Sequence, residues 1–298
     1  MGFFRPDYAK TGKGVEKKEQ ELRPFFQFFV LYFRKIAKLI GLNMAYFVIF
    51  FPTFCFFVNR LMYALSLYLP NFSFDTLNSE FLKFVFFISI SLPVWANCIL
   101  VGLSVLLCGP ARAGMAYLMK HYVRGESCFY WSDFGETAVK NAKQSIFFGI
   151  LDFVITTAFL QAFTFSASPD NAMLGQYLVL ARVALLIVLV YYSIMRYYIY
   201  PMMVFVNLKI SHIIKNASLF FVLGLWRNVV AILANGLFIY LTLNFDFIVF
   251  PFLAFATCRY IASFLTHPVL DKHLIRPLME KAGYGETETE AVFSDKVQ

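Results

Sequence analysis

The sequence predicts an all-α polytopic membrane bundle of about six transmembrane helices, with amphipathic connector helices on the cytoplasmic side. Three observations predict it. The 298 residues are 60% hydrophobic and only 15% charged, with 38 Phe and a mean hydropathy of +0.66, whereas soluble domains carry roughly 25% charged residues. The apolar stretches are long and do not alternate, so they fit spanning helices of about 20 residues rather than the alternating strands of a barrel. Of the 26 Lys and Arg residues, 21 fall on one side of such a bundle, and the other five lie within or beside the spans. Helices are the expected form because they satisfy their own backbone hydrogen bonds in lipid.

The elements follow in chain order. Residues 1–38 form a basic N-terminal segment that ends in an interfacial helix. Its first 24 residues are polar, and no early apolar core leads to a small-residue cleavage site, so no secretory signal peptide is expected. Pro6 stands where a myristoylation signal has Ser or Thr. Six spans follow at about 39–69, 81–108, 145–167, 174–201, 219–243 and 247–266, making a membrane domain over 39–266. The first is overlong and contains Pro52, which predicts a kink or a strong tilt. Pro93 and Pro201 mark similar irregularities. Residues 267–298, with "GETETEAVFSDKVQ", form a polar acidic tail expected to be disordered.

Charge sets the expected orientation. With both termini inside, the cytoplasmic segments hold nine Lys and Arg in 1–38, five in 108–145, three in 207–228 and four in 267–298, of 26 in all. The opposite loops, near 70–80, 168–173 and 244–246, hold none. This positive-inside pattern selects six spans over five or seven. It also makes the net charge of +8 a membrane-surface feature, so the expected partner is the lipid bilayer and not nucleic acid. Short basic segments precede the odd-numbered spans: "FRKIAKLIGLNMAYF" (33–47), "VKNAKQSIFFG" (139–149) and "IKNASLFFVLG" (214–224). The shared Lys-Asn-Ala of the last two fits three copies of a helix-plus-hairpin unit, or simply the need for Lys at headgroup level.

The stretch "GPARAGMAYLMKHYVRGESCFYWSDF" (109–134) is the densest polar and aromatic segment between spans. Gly109-Pro110 is expected to end the second span. Met115, Leu118, Met119 and Tyr122 then fall at helical spacing, with Arg112, Lys120, His121 and Arg124 on the rest of the surface, as in an interfacial amphipathic helix. Gly125 fits a C-cap, Phe129, Tyr130 and Trp131 an aromatic belt, and Asp133 with Glu136 a capping box. Arg112, Lys120, Arg124, Trp131 and Asp133 make the expected partner-docking surface.

Chemistry-bearing groups are sparse. Cys55, Cys98, Cys108, Cys128 and Cys258 have no metal spacing and fit buried, reduced thiols. The four His form no metal array, and neither metal nor cofactor is expected. No nucleophile elbow, P-loop or pair of intramembrane carboxylates is present, so no enzyme is expected. Polar groups within the spans, Asp152, Arg182, Arg259, Asn97 and Asn235, fit either a solute pathway or interhelical glue. Asp152 lies seven residues into the third span and Arg259 seven before the end of the sixth, which places both about 10 Å deep at 1.5 Å per residue. An Asp152–Arg259 ion pair is therefore expected. The alternatives are a protonated Asp152, an Arg259 that snorkels to the headgroups, or an Asp152–Arg196 pair.

"FRKIAKLIGLNMAYF", "GPARAGMAYLMKHYVRGE", "WSDF" and "NLKISHIIKNASLFF", with "MGFF" and "TGKGV" at the start, together resemble the YesL-like bacterial membrane proteins, a family of unknown function. The resemblance runs to about residue 235 and implies a multi-pass protein of the bacterial cytoplasmic membrane, encoded near carbohydrate-uptake systems. It implies no catalytic residue. The resulting expectation is a non-enzymatic accessory or regulatory protein whose partner belongs to a sugar-uptake system. The alternative is a small-solute transporter or channel.

Overall fold

A computed structural model describes residues 24–68, 80–167, 175–206, 208–245 and 249–281. Their secondary-structure elements are all helical: α1 Pro24–Tyr68, α2 Glu80–Ser91, α3 Val94–Val123, α4 Tyr130–Lys140, α5 Ala142–Ala167, α6 Gly175–Phe205, α7 Ile210–Leu223, α8 Leu225–Phe245, α9 Phe250–Leu270, a π-helical turn Asp271–Ile275, and α10 Arg276–Lys281. The polar N-terminal stretch before residue 24, the acidic tail from residue 282 and most of the three Lys- and Arg-free loops lie outside the described residues.

The bundle is apolar on the outside and keeps several polar residues buried among apolar clusters. Five helices, α1, α3, α5, α6 and α8, are long and apolar enough to cross a membrane. The expected sixth span is α9, which is not among them. Its 21 residues rise about 30 Å, enough to span, but Thr257, Arg259, Ser263 and Thr266 interrupt the apolar run. Residues that make α6 oily point away from the protein: Leu180 is 68% exposed and Ile187 64%. Asp152, Asn228, Asn235 and Thr257 are buried. An apolar exterior of this extent needs lipid around it, so the chain is a polytopic helical membrane protein.

Several boundaries differ from those expected, each for a physical reason. The basic segment at 33–47 is not a separate interfacial helix. It belongs to α1, whose 45 residues continue unbroken through Pro52 and span about 67 Å at 1.5 Å per residue. Its N-terminal half packs on the C-terminal half of α3, with Leu31, Leu39 and Leu42 against Met115, Leu118 and Tyr122. Nor does Gly109-Pro110 end a span, because α3 runs through it to Val123. Pro110 forfeits one hydrogen bond, but buried residues on both sides of it hold the helix together. The expected span over 81–108 is instead divided at Pro93, between α2 and α3. Asn97 closes that break by donating through Nδ2 to the carbonyls of Ser89 (2.9 Å) and Leu92 (3.1 Å).

The expected cap at Gly125 is present, with φ of 74°. Gly125 N–H donates to the Tyr122 carbonyl and Glu126 N–H to the His121 carbonyl, the paired bonds of a Schellman motif. At the start of α4, the Phe129 N–H donates to Asp133 Oδ2 at 2.8 Å, so Asp133 closes that turn without a Glu136 capping box. The Lys-Asn-Ala tripeptides occupy different places. Asn141 caps the C-terminus of α4, whereas Asn216 lies inside α7, so the shared tripeptide does not mark equivalent positions.

Gly109 has a role that its reading as a breaker hid. A Cβ there would lie 2.0 Å from the Ser145 carbonyl oxygen of α5, and one at Gly149 would lie 3.1 Å from the Gly109 nitrogen. α3 and α5 therefore meet backbone to backbone, as small residues allow in membranes. Gly109→Ala should destabilise the protein by about 1–3 kcal/mol, the range for overpacking. Gly102→Ala on the same helix, where a Cβ meets nothing within 4 Å, should be neutral or slightly stabilising. Thermal unfolding in mild detergent would check both.

Candidate functional site

Six helices each turn one stripe of side chains toward a common cavity of about 610 Å³. The stripes keep helical spacing: Tyr46, Phe50 and Thr53 from α1; Val105, Cys108, Arg112 and Met115 from α3; Gly149, Asp152 and Thr156 from α5; Ser193, Arg196 and Tyr200 from α6; Ile232, Asn235 and Ile239 from α8; Phe255 and Arg259 from α9. Three arginines and one aspartate face one space, so its formal charge is two positive.

Asp152 is the hub. Its Oδ2 forms an ion pair with Arg112 Nη1 and lies 3.5 Å from Arg196 Nη1. Tyr200 donates its hydroxyl to the same oxygen at 3.4 Å. Arg112 also donates through Nε to Tyr46 Oη at 2.8 Å, which brings α1 into the network. Arg259 does not meet Asp152. Its Nη1 donates to the Arg196 backbone carbonyl at 3.1 Å, and its guanidinium lies 5.1 Å from the Tyr200 ring centroid. Arg259 Nε and Nη2 have no acceptor among the described residues. The expected Asp152–Arg259 pair is therefore replaced by Asp152 with Arg112 and, at longer range, Arg196. Equal depth placed Arg259 at the right level, but two closer guanidiniums take the carboxylate.

The five expected docking residues separate. Arg112 belongs to the cavity. Lys120 is 6% exposed, with Nζ 3.9 Å from the Phe205 ring centroid. Arg124 is partly buried and lies 3.6 Å from Glu126 and 3.8 Å from Asp271, tying the end of α3 to the π-helical turn. Trp131, 60% exposed, and Asp133 remain at the surface on α4. The set is not one surface, because the helix bearing its first three members is enclosed by the bundle. Near it, burial raises the Glu126 carboxyl pKa. The hydrogen bond from His121 and the charges of Arg124 and Lys120 outweigh that and hold it below the usual carboxylate range.

Of the expected pathway residues, Asp152, Arg259 and Asn235 line the cavity. Asn97 closes the break at Pro93, and Arg182 donates to Tyr68 Oη at 3.0 Å. Tyr46 and Tyr200 carried no sequence signal. Arg112 did: it is in phase with Val105, Cys108 and Met115 once α3 is allowed to continue. Among the described residues no cluster of His, Cys, Asp and Glu is built to hold a metal.

No protein-family model, curated protein or solved structure matches the chain. The likeness to YesL-like proteins therefore rests on the motifs quoted above alone.

Removing one member of a buried pair strands the other, at a cost of about 3–5 kcal/mol. Asp152→Asn should therefore destabilise strongly. A double-mutant cycle of Asp152→Asn with Arg112→Gln should show coupling of about 1 kcal/mol or more. The same cycle with Arg259→Gln should give a clearly smaller value. Unfolding midpoints of the four variants in each cycle are the measurement.

Proposed function

We propose that the protein is a membrane carrier for a small solute, with the six-helix cavity as its solute site. The observation that carries this reading is the convergence of polar stripes from α1, α3, α5, α6, α8 and α9 on one space of about 610 Å³. Small-molecule sites are commonly about 300–1,000 Å³, with mostly apolar walls and a few polar groups. The walls here fit that description, with Phe50, Phe153 and Phe255 beside the arginines and tyrosines. Charged residues within a membrane bundle commonly mark a solute or ion path.

The carrier sits, in this reading, in a bacterial cytoplasmic membrane with both termini inside. The support is the absence of Lys and Arg from the three opposite loops. Arg112 no longer counts toward the inner charge, but the asymmetry persists without it. The other reading, an accessory subunit of a sugar-uptake system, keeps a smaller surface: the exposed Phe129, Trp131 and Val139 around α4. That apolar set fits the headgroup region equally well, so the cavity carries more of the argument.

Reporter fusions at Asn78, Asp170 and Asp246 should read outside, and fusions at Glu126 and Lys209 inside; an inside signal at Asp170 would reject the topology. For transport, purified protein in liposomes should give saturable uptake from a labelled panel of sugars, amino acids and organic anions. Gly236 lines the cavity, and a Cβ there meets nothing within 4 Å. Gly236→Phe, with an unchanged unfolding midpoint as the check that the fold is kept, should narrow the space and lower uptake about tenfold or more, a loss of roughly 1.4 kcal/mol or more in transition-state terms. Absence of protein-dependent uptake across the panel would reject the carrier.

A further inference from the structure

The cavity has a charge imbalance that its own residues leave standing. Arg112, Arg196 and Arg259 face it against the single carboxylate of Asp152. Asp152 is committed mainly to Arg112, whose Nε is also satisfied by Tyr46. Arg196 is left with one ion contact, at 3.5 Å. Arg259 has one backbone bond and two guanidinium nitrogens without an acceptor among the described residues. The Tyr200 ring offers Arg259 a π-face, which offsets part of a cation's desolvation but supplies no countercharge. Arg259 bonds the backbone of Arg196 itself, so the two residues that carry these guanidiniums are neighbours.

We infer that the cavity binds an oxyanion, a carboxylate or phosphate on a small organic solute or on a lipid headgroup, through Arg196 and Arg259. This deepens the solute-site reading and rests on the cavity being a ligand site, not on transport. Guanidinium matches the planar fork of a carboxylate and the oxygens of a phosphate, and it pairs with either through two parallel hydrogen bonds. One such anion halves the excess charge, and a dianion cancels it. Away from the arginines the walls are aromatic and aliphatic, with Phe50, Phe153 and Ile239 among them. A space of about 610 Å³ exceeds what a bare inorganic ion fills, so the anion carries an apolar or aromatic body. Arg259 Nε and Nη2 are shielded from solvent as they stand. Binding therefore turns the Arg259 side chain toward the ligand, while Asp152 keeps Arg112.

The test uses the full chain in phosphatidylcholine nanodiscs, at constant ionic strength set with chloride. Benzoate, inorganic phosphate and glucose are the soluble probes, and a parallel set of discs contains phosphatidylglycerol. Benzoate or phosphate should raise the unfolding midpoint by about 3 °C or more near saturation, and glucose should not. Labelled benzoate should bind the wild-type chain saturably at one per chain in equilibrium dialysis and be displaced by phosphate. Arg196→Gln and Arg259→Gln should each weaken binding about tenfold or more. Should a Gln variant fail to fold, Arg259→Lys keeps the charge, loses the fork, and should still bind more weakly than wild type. Stabilisation only by phosphatidylglycerol discs, lost in the same variants, assigns the oxyanion to a lipid headgroup. Stabilisation by soluble anions assigns it to a solute. Absence of anion binding, binding unchanged in the arginine variants, or binding of glucose alone overturns the inference. Uptake restricted to neutral solutes rejects this inference and leaves the carrier standing. Anion binding without any uptake does the reverse.

Discussion

A carboxylate inside a bilayer cannot stay ionised alone, and Asp152 is surrounded accordingly. Arg112 on α3 pairs with it, Arg196 on α6 stands at longer range, and the Tyr200 hydroxyl donates to it. Tyr46 on α1 enters through Arg112, and Arg259 on α9 through the Arg196 carbonyl. Because lipid tails are as apolar as leucine, burying oily side chains gives membrane helices little reason to associate. Polar contacts of this kind, with close packing, set which faces turn inward. Once α3, α5 and α6 face one another through their charges, the remaining helices close around that polar centre, with buried apolar clusters beside it and further apolar residues outside.

Close packing and charge act on the same pair of helices. Gly109 and Gly149 bring the backbones of α3 and α5 together. Arg112 and Asp152 each lie three residues C-terminal to those glycines, in opposite directions from the contact because the two helices run antiparallel. The glycine contact sets the spacing at which the guanidinium reaches the carboxylate. Larger residues at 109 or 149 would push the helices apart and weaken the ion pair as well. The two features are therefore one device, although only the charge is conspicuous in the sequence.

Much of the helical architecture was legible because lipid imposes simple rules. Length and hydropathy identified the spans of α5, α6 and α8 to within several residues, the C-terminal end but not the start of α1, and α9 as a helix of spanning length. The errors came from reading local signals as final. Gly109-Pro110 is a breaker by propensity, but packing on both sides overrides it. Because α3 continues, Arg112 and Lys120 lie within the bundle and Arg124 at its partly buried end, where a helix break at Gly109-Pro110 would have left them on a surface. The ion pair was half legible. Depth identified Asp152 as needing a partner, but depth cannot choose among guanidiniums at similar levels on different helices. That choice depends on which helix faces are adjacent, and one sequence does not contain it. The tyrosines were illegible for another reason: 17 Tyr in the chain give no hint that Tyr46 and Tyr200 are the ones that join the Asp152 network.

The distribution of the charges over the helices has a consequence for how the protein is made. Arg112 emerges from the ribosome 40 residues before Asp152, and Arg196 follows 44 residues after it. Each lies on a different helix, so none can be neutralised within the segment that delivers it to the membrane. An arginine near a helix centre costs about 2.5–3.5 kcal/mol on insertion scales. α3 therefore enters at a deficit that lasts until α5 arrives, and α6 enters with a second arginine to accommodate. The close approach at Gly109 and Gly149 gives α3 a surface on which α5 can dock as soon as it arrives. Biosynthesis of this bundle is thus a sequence of deferred neutralisations.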